Sequence, residues 1–414
     1  MTILIGTDEA GYGPNLGPLV VSASCWRFET SNKSLDILSS GSPAKESNLP
    51  INSNVSKAKN VKKTKSPQYV QRTFFDNEID SDSILLGLND QNKEPTFHSA
   101  VLSKIEREKT IDSKTSEKSR LSEILDQFHS ICRSKTDYQG IFPIVDSKKL
   151  YQSSGSLSPL ERTFLRAFVW IHGPIQKLSF AETLAFLDDV SEPPFWEKEK
   201  KILLPYDSKT ESILLLEESF RPIKSYFDTN RISLLSLKSR RVFPNEYNKK
   251  TEKMLKSDFL AETTLTLISK MIHLIINSPF QQEPIIILCD KLGGRNKYEA
   301  LLTFFFPGSK ITTLCESKAL SSYQMTIFPN KNILRFEIRF QMKGESNIPT
   351  ALASICSKYI REISMKLFND FWQCHIPNLK PTAGYPVDAK RFYQEIREVI
   401  DQFNFNHSDI WRNK

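Results

Sequence analysis

Glycine is scarce in this chain, 14 of 414 residues, and four of the 14 (Gly6, Gly11, Gly13 and Gly17) fall within the first 17 positions. Glycine serves where backbone must turn tightly or come close to another group. Residues 2–7 read as a short buried strand that ends where this cluster begins, and residues 19–26 read as a second strand. The N-terminus is therefore where the chain most needs bare backbone. The remaining composition, 39% hydrophobic and 25% charged, is ordinary for a globular protein and excludes collagen-like and wholly disordered classes.

Composition then shifts sharply. Residues 31–120 hold 16 serines among 90 residues, and Lys57 to Lys65 is a basic run. Such a stretch buries too little apolar surface to offset its ordering entropy, so 31–137 is expected to be a mostly disordered insertion, with a helix over about 121–132. Order resumes at Ile141-Phe-Pro-Ile-Val145. Ser158-Pro-Leu-Glu161 reads as a capping box opening a helix to about residue 171. Ser257 or Asp258 reads as the cap of a long apolar helix ending near Asn277; Glu262 and Lys270 mark it as a buried helix and not a membrane span. Residues 284–290 form a short continuous apolar run ending in Asp290, as buried parallel strands do. The alternation over 334–342 predicts a half-exposed strand, paired with 323–328 in a hairpin. Strands alternating with helices imply an α/β sheet protein.

The net charge of +8 fits nucleic acid, an acidic membrane surface or simply a soluble basic protein. Six cysteines without a Cys-x-x-Cys pair read as reduced thiols, and six histidines form no ligand cluster. No signal peptide or membrane span is visible, so a cytoplasmic protein is expected.

Three carboxylate positions stand out. Asp8 and Glu9 lie at a strand end before the Gly11-Tyr-Gly13 turn, and Asp290 ends a second apolar strand before Gly293-Gly294. Glu362 lies on a helix of about 349–372, where Ser354, Lys358 and Glu362 share one face at i, i+4 and i+8. Carboxylates at the carboxyl ends of neighbouring strands converge where α/β folds bind ligands. Without His or Cys such a set suits Mg²⁺ or Mn²⁺. Two such ions would clamp the attacking and leaving oxygens of a phosphodiester displacement. The bland alternatives are a loop entry, solvated surface charge and an i,i+4 ladder.

The motif strings go further. Gly6-Thr-Asp-Glu-Ala-Gly-Tyr-Gly-Pro-Asn-Leu-Gly-Pro-Leu-Val20 closely resembles the N-terminal signature of the type 2 ribonucleases H: bacterial ribonuclease HII and its archaeal and eukaryotic relatives. Asp146-Ser-Lys-Lys-Leu150 resembles that family's second signature, Ala353 to Glu362 its helix carrying a fourth acidic residue, and Ala383-Gly-Tyr-Pro-Val-Asp388 its Gly-Tyr-Pro signature. The resemblance covers roughly half of the chain. It implies a ribonuclease H-like mixed sheet flanked by helices, as one discontinuous domain of 1–30 and 138–414 with added segments at 174–236 and 321–343.

It also implies a metal-binding catalytic set of Asp8, Glu9, Asp290 and Glu362. Gly11, Tyr12 and Gly13 would contact the ribose 2′-OH that marks RNA. Ser147 and Lys148 would meet phosphate, Ser354 and Lys358 would face the substrate, and Tyr385 would pack at the nucleotide beside the scissile bond. The implied activity is metal-dependent endonucleolytic cleavage of the RNA strand of RNA–DNA hybrids, or incision of DNA at embedded ribonucleotides. The products would carry 5′-phosphate and 3′-hydroxyl ends, and the enzyme would act as a monomer. Two positions depart from the family: Tyr12 stands where Arg or Lys is usual, and Glu362 where Asp is usual. Together with the long insertions they motivate an alternative, a diverged protein that binds hybrids without cutting them. A remoter option is another metal-dependent phosphoryl-transfer enzyme on the same fold.

Overall fold

The computed structural model describes residues 1–29, 122–133 and 141–413, except 155, 174, 176, 199–200, 209–211 and 329–332. Most of the 31–137 insertion, its basic run included, lies outside the described residues. One stretch of it does not: 122–133 is helical.

A seven-stranded mixed sheet forms the centre, in the order β5-β2-β1-β6-β9-β8-β7. β1 (Thr2–Ala10) and β2 (Leu19–Phe28) are an antiparallel pair around the glycine-rich turn. β6 (Ile285–Asp290) runs parallel to β1, and β9 (Leu334–Gln341) runs parallel to β6. β8 (Leu320–Ile327) and β7 (Lys310–Glu316) complete one side as antiparallel strands, and β5 (Ile232–Val242) closes the other beside β2. A two-strand ribbon pairs β3 (Leu178–Ser179) with β4 (Leu203–Leu204). The 321–343 hairpin, expected as an added segment, supplies two strands of the main sheet, with β9 next to β6.

The first helices in chain order are α1 (122–133), α2 (Ser147–Ser154), α3 (Ser158–His172), α4 (Phe180–Phe186), α5 (Ile213–Thr229) and α6 (Pro244–Thr251). Then come α7 (Lys256–Ile276), α8 (Glu299–Phe305), α9 (Ile348–His375), α10 (Pro386–Gln402) and α11 (His407–Ile410).

Strands β1 and β6 are near-continuous apolar runs because helices cover both faces of the sheet. Ile3 and Ile5 of β1 and Ile285 and Ile287 of β6 pack with Leu265, Ile268 and Ile272 of α7. The next residue along β1 faces the other way. There Gly6 meets α9 so closely that a Cβ would stand 2.1 Å from the Pro349 carbonyl carbon. This is the α/β sheet flanked by helices that the sequence implied. α7 is long and apolar enough to cross a membrane by composition alone, but it forms part of this core.

Two local expectations fail for tertiary reasons. α3 has no capping box: Leu157 flanks it without a side-chain cap. Glu161 instead is fully buried and accepts the N–H groups of Tyr206, Asp207 and Ser208 at 2.5, 2.9 and 2.7 Å, and Tyr359 Oη at 2.8 Å. α7 begins at Lys256 with no side-chain cap, and Asp258 pairs with Arg295 instead.

Candidate active site

β1, β6 and β9 are mutually parallel, so their carboxyl ends share one edge of the sheet. A cleft of about 1050 Å³ opens there. Asp8 and Glu9 reach it from the end of β1, Asp290 from the end of β6, and Glu345 from the turn just after β9. The sequence pointed to the first three. It missed Glu345.

Burial raises all four carboxyls, and at Asp8 and Glu9 the neighbouring acids add to it. Burial raises the Asp8 carboxyl well above its ordinary value, with Glu9, Glu345 and Asp290 adding to the rise. Burial and then Asp290 push Glu9 up to about 7, while Lys148 pulls it down. Burial also raises Asp290, against the pull of two backbone hydrogen bonds. One is from the Gly344 N–H to Oδ1 at 2.8 Å. That contact needs the bare backbone of Gly344, where a Cβ would stand 2.9 Å from the Asp290 Cα. Burial raises Glu345 too, and Asp146 adds to the rise.

Hydroxyl groups brace the set. Ser354 Oγ hydrogen-bonds Glu345 Oε1 and lies 3.0 Å from Ser147 Oγ, which is 3.4 Å from the same carboxylate. Ser147 and Ser354 are both buried, so the Ser147 hydroxyl, expected at phosphate, steadies a carboxylate. Ser357 Oγ donates to the Asp8 carbonyl at 3.0 Å.

Glu362 is not brought into this set. Lys358 Nζ lies 2.6 Å from its carboxylate and Arg361 Nη1 3.6 Å, and it does not line the cleft. The reason is helical rise. Ser354 touches the acidic group, and Glu362 is eight residues further along α9, about 12 Å at 1.5 Å per residue. The i,i+4 ladder reading describes Lys358 and Glu362. Glu345 was missed because its recruitment depends on β9 lying beside β6, a long-range pairing. The signal was present: it follows a strand end, as Asp8 and Asp290 do.

The other expected residues gather around the cleft. Gly11, Tyr12, Ser147, Lys148, Ser354, Lys358 and Tyr385 all line it. Gly13 does not, but its position lies 3.9 Å from the Tyr385 ring, measured from where a Cβ would be. Gly11 has φ +87° and packs on Arg361, whose Nε would lie 2.5 Å from a Cβ. Lys256 Nζ sits 4.3 Å from the Tyr12 ring centroid, so a cation stands beside the loop although position 12 carries none. Lys358 Nζ lies 4.8 Å from the Tyr151 ring centroid. Tyr385 is half exposed at the start of α10.

Four carboxylates without His or Cys are a hard-cation donor set. Burial is the main cause of their upward shifts, and at Asp8 and Glu9 the neighbouring carboxylates add a repulsion that a divalent cation would relieve. Asp8, Glu9, Asp290 and Glu345 could hold it, although among the described residues no three such side chains are already drawn together as ligands.

No family model and no curated protein matches the chain. Among solved structures it is similar to the ribonuclease H2 of Pyrococcus horikoshii OT3, with 10% identity, a TM-score of 0.37, and coverage of 99% of this chain and 92% of that one. It is also similar to a PCNA:RNase HII complex from Archaeoglobus fulgidus, with 11% identity, a TM-score of 0.31, and coverage of 100% and 94%. Likenesses at these scores are loose, and the chemistry of the cleft has to stand on its own residues.

Proposed function

We propose that the protein is a metal-dependent endonuclease that cleaves the RNA strand of RNA–DNA hybrids or incises DNA at an embedded ribonucleotide. The observation that carries this reading is the meeting of Asp8, Glu9, Asp290 and Glu345 at one edge of three parallel strands, beside the Gly11–Gly13 loop. Mg²⁺ or Mn²⁺ held by these four would polarise the scissile phosphodiester and promote attack on it by water. Lys148 and Lys358 offer charge to substrate phosphates, and Lys148 also favours the ionised form of Glu9. The Gly11-Tyr12 backbone at the cleft would meet the 2′-OH, and the half-exposed Tyr385 ring would pack on the neighbouring sugar. The products would carry 5′-phosphate and 3′-hydroxyl ends. A net charge of +8 suits a polyanionic partner. On this reading the enzyme works in the cytoplasm as a monomer.

The alternative of a hybrid-binding protein without cleavage leaned on Glu362, Tyr12 and the long insertions. Glu345 supplies a fourth carboxylate whatever Glu362 does, and Lys256 supplies a cation near Tyr12. Cleavage is therefore the better supported reading.

The test uses a DNA duplex holding one ribonucleotide and a full hybrid, each with Mg²⁺ and with Mn²⁺, with the cut position mapped. Asp8→Asn and Asp290→Asn are expected to abolish cleavage while hybrid binding survives. Near-wild-type cleavage by either variant would sink the reading.

A further inference from the structure

The helix that ends the Ser/Lys-rich insertion is built into the cleft. α1 buries Ile124, Leu125 and Phe128. The Phe128 ring packs at 5.8 Å from Trp26 and 5.6 Å from Phe28, both on β2. His129 Nε2 accepts the N–H of Ile348 at the start of α9 at 3.3 Å. Tyr226 Oη on α5 donates to the Ile131 carbonyl at 3.1 Å. Three separate elements therefore fix α1.

What they fix in place is Arg133. It is exposed, it lines the cleft, and its Nη2 donates to the Ser346 carbonyl at 2.6 Å. Ser346 is the residue after Glu345. An Arg side chain has five N–H donors in a planar fork. Among the described residues the guanidinium makes one hydrogen bond, to the Ser346 carbonyl, and pairs with no carboxylate. Among the described residues, then, this cation at a cleft of carboxylates pairs with none of them, and its remaining donors can meet an anion from outside. The fork matches phosphate oxygens. Tyr226, which holds the Ile131 carbonyl, lines the cleft too, as do Ile144 and Val145. These side chains bring apolar and phenolic surface to the same cleft as Arg133.

Resting on the nuclease reading above, we propose that α1 is a substrate-binding element and that Arg133 binds a backbone phosphodiester of the nucleic acid, on the Glu345 side of the carboxylates.

The experiment measures hybrid binding by the full chain against salt concentration. An Asp290→Asn background prevents turnover. Arg133→Gln is expected to weaken binding roughly tenfold at about 0.1 M salt. The slope of log K against log salt should fall by about one phosphate contact. Arg133→Lys keeps the charge and should keep the slope. Melting temperatures of all three proteins should agree. An unchanged slope in Arg133→Gln overturns the proposal. So does an equal loss in Arg133→Lys with a lowered melting temperature, since Arg133 would then only clasp the Ser346 carbonyl. If the wild-type protein neither cuts nor binds hybrid, the nuclease reading falls as well. If it cuts hybrid normally while Arg133→Gln keeps its slope, this inference alone falls.

Discussion

Gly6→Ala should damage the site from a distance. Gly6 lies in the middle of β1 and touches no substrate residue of the cleft. A Cβ there would stand 2.1 Å from the Pro349 carbonyl carbon and 2.2 Å from the Thr350 nitrogen. Both are backbone atoms, so no rotamer change relieves the clash. Ordinary contact begins near 3.4 Å, so α9 has to retreat by about 1.3 Å. That retreat strains the hydrogen bonds from Ser24 Oγ to the Pro349 carbonyl at 2.7 Å and from Thr350 Oγ1 to the Leu288 carbonyl at 3.1 Å. Overpacking costs about 1–3 kcal/mol and each buried hydrogen bond about 1 kcal/mol. The sum is roughly 3–5 kcal/mol. For a domain this large that is a fall in melting temperature of about 6–10 °C. The same helix carries Ser354, which braces Glu345, and Lys358. A displacement near 1 Å at such a site costs about 100-fold in rate. Circular dichroism melts and single-turnover cleavage of a hybrid read the two effects. Gly13→Ala is the stability control, because its Cβ would meet nothing nearer than 3.9 Å and its melt should be unchanged. A Gly6→Ala protein that melts within about 1 °C of wild type and cuts within about threefold refutes the reasoning.

Two further outcomes follow from the carboxylates. Glu345→Gln should reduce Mg²⁺-dependent cleavage by more than about 100-fold, whereas Glu362→Gln should stay within about threefold, because Glu362 is held by Lys358 and Arg361 away from the cleft. The reverse order in a cleavage assay would return Glu362 to the catalytic set. Glu9 is pushed from its ordinary 4.5 up to about 7, so the metal-free fold keeps a proton that the unfolded chain releases. Its contribution to stability is full below about pH 4.5 and is lost as pH rises through about 7. In a chelator, melting temperature should therefore fall over that window more steeply in wild type than in Glu9→Gln, and Mg²⁺ should remove the difference. Parallel curves for the two proteins would refute it.

Much of this was legible in the sequence because it is local. Ile285–Asp290 is apolar throughout and ends in a carboxylate, and it is a central parallel strand. The alternation over 334–342 marked β9 and its hairpin with β8. Asp8, Glu9 and Asp290 were visible as acids at strand ends. What escaped depends on distant partners. Glu345 enters the site through the pairing of β9 with β6, which no local pattern encodes. Glu161 looked like a helix cap because the cap motif is local, yet its partners are 45 or more residues away. Ser147 lines the cleft as expected, but its hydroxyl lies against Ser354 and Glu345, partners that no local pattern announces.

The contacts along α9 have one more consequence. Within eight residues Ser354 meets Glu345, Ser357 the Asp8 carbonyl, Tyr359 the Glu161 carboxylate and Arg361 the Ala383 carbonyl. Each reaches a different segment of the chain, from β1 to the turn before α10. A change in any one of them shifts the bed on which the other three rest. Drift in this protein is therefore channelled: exposed helix faces can vary singly, while this stretch can change only in linked steps.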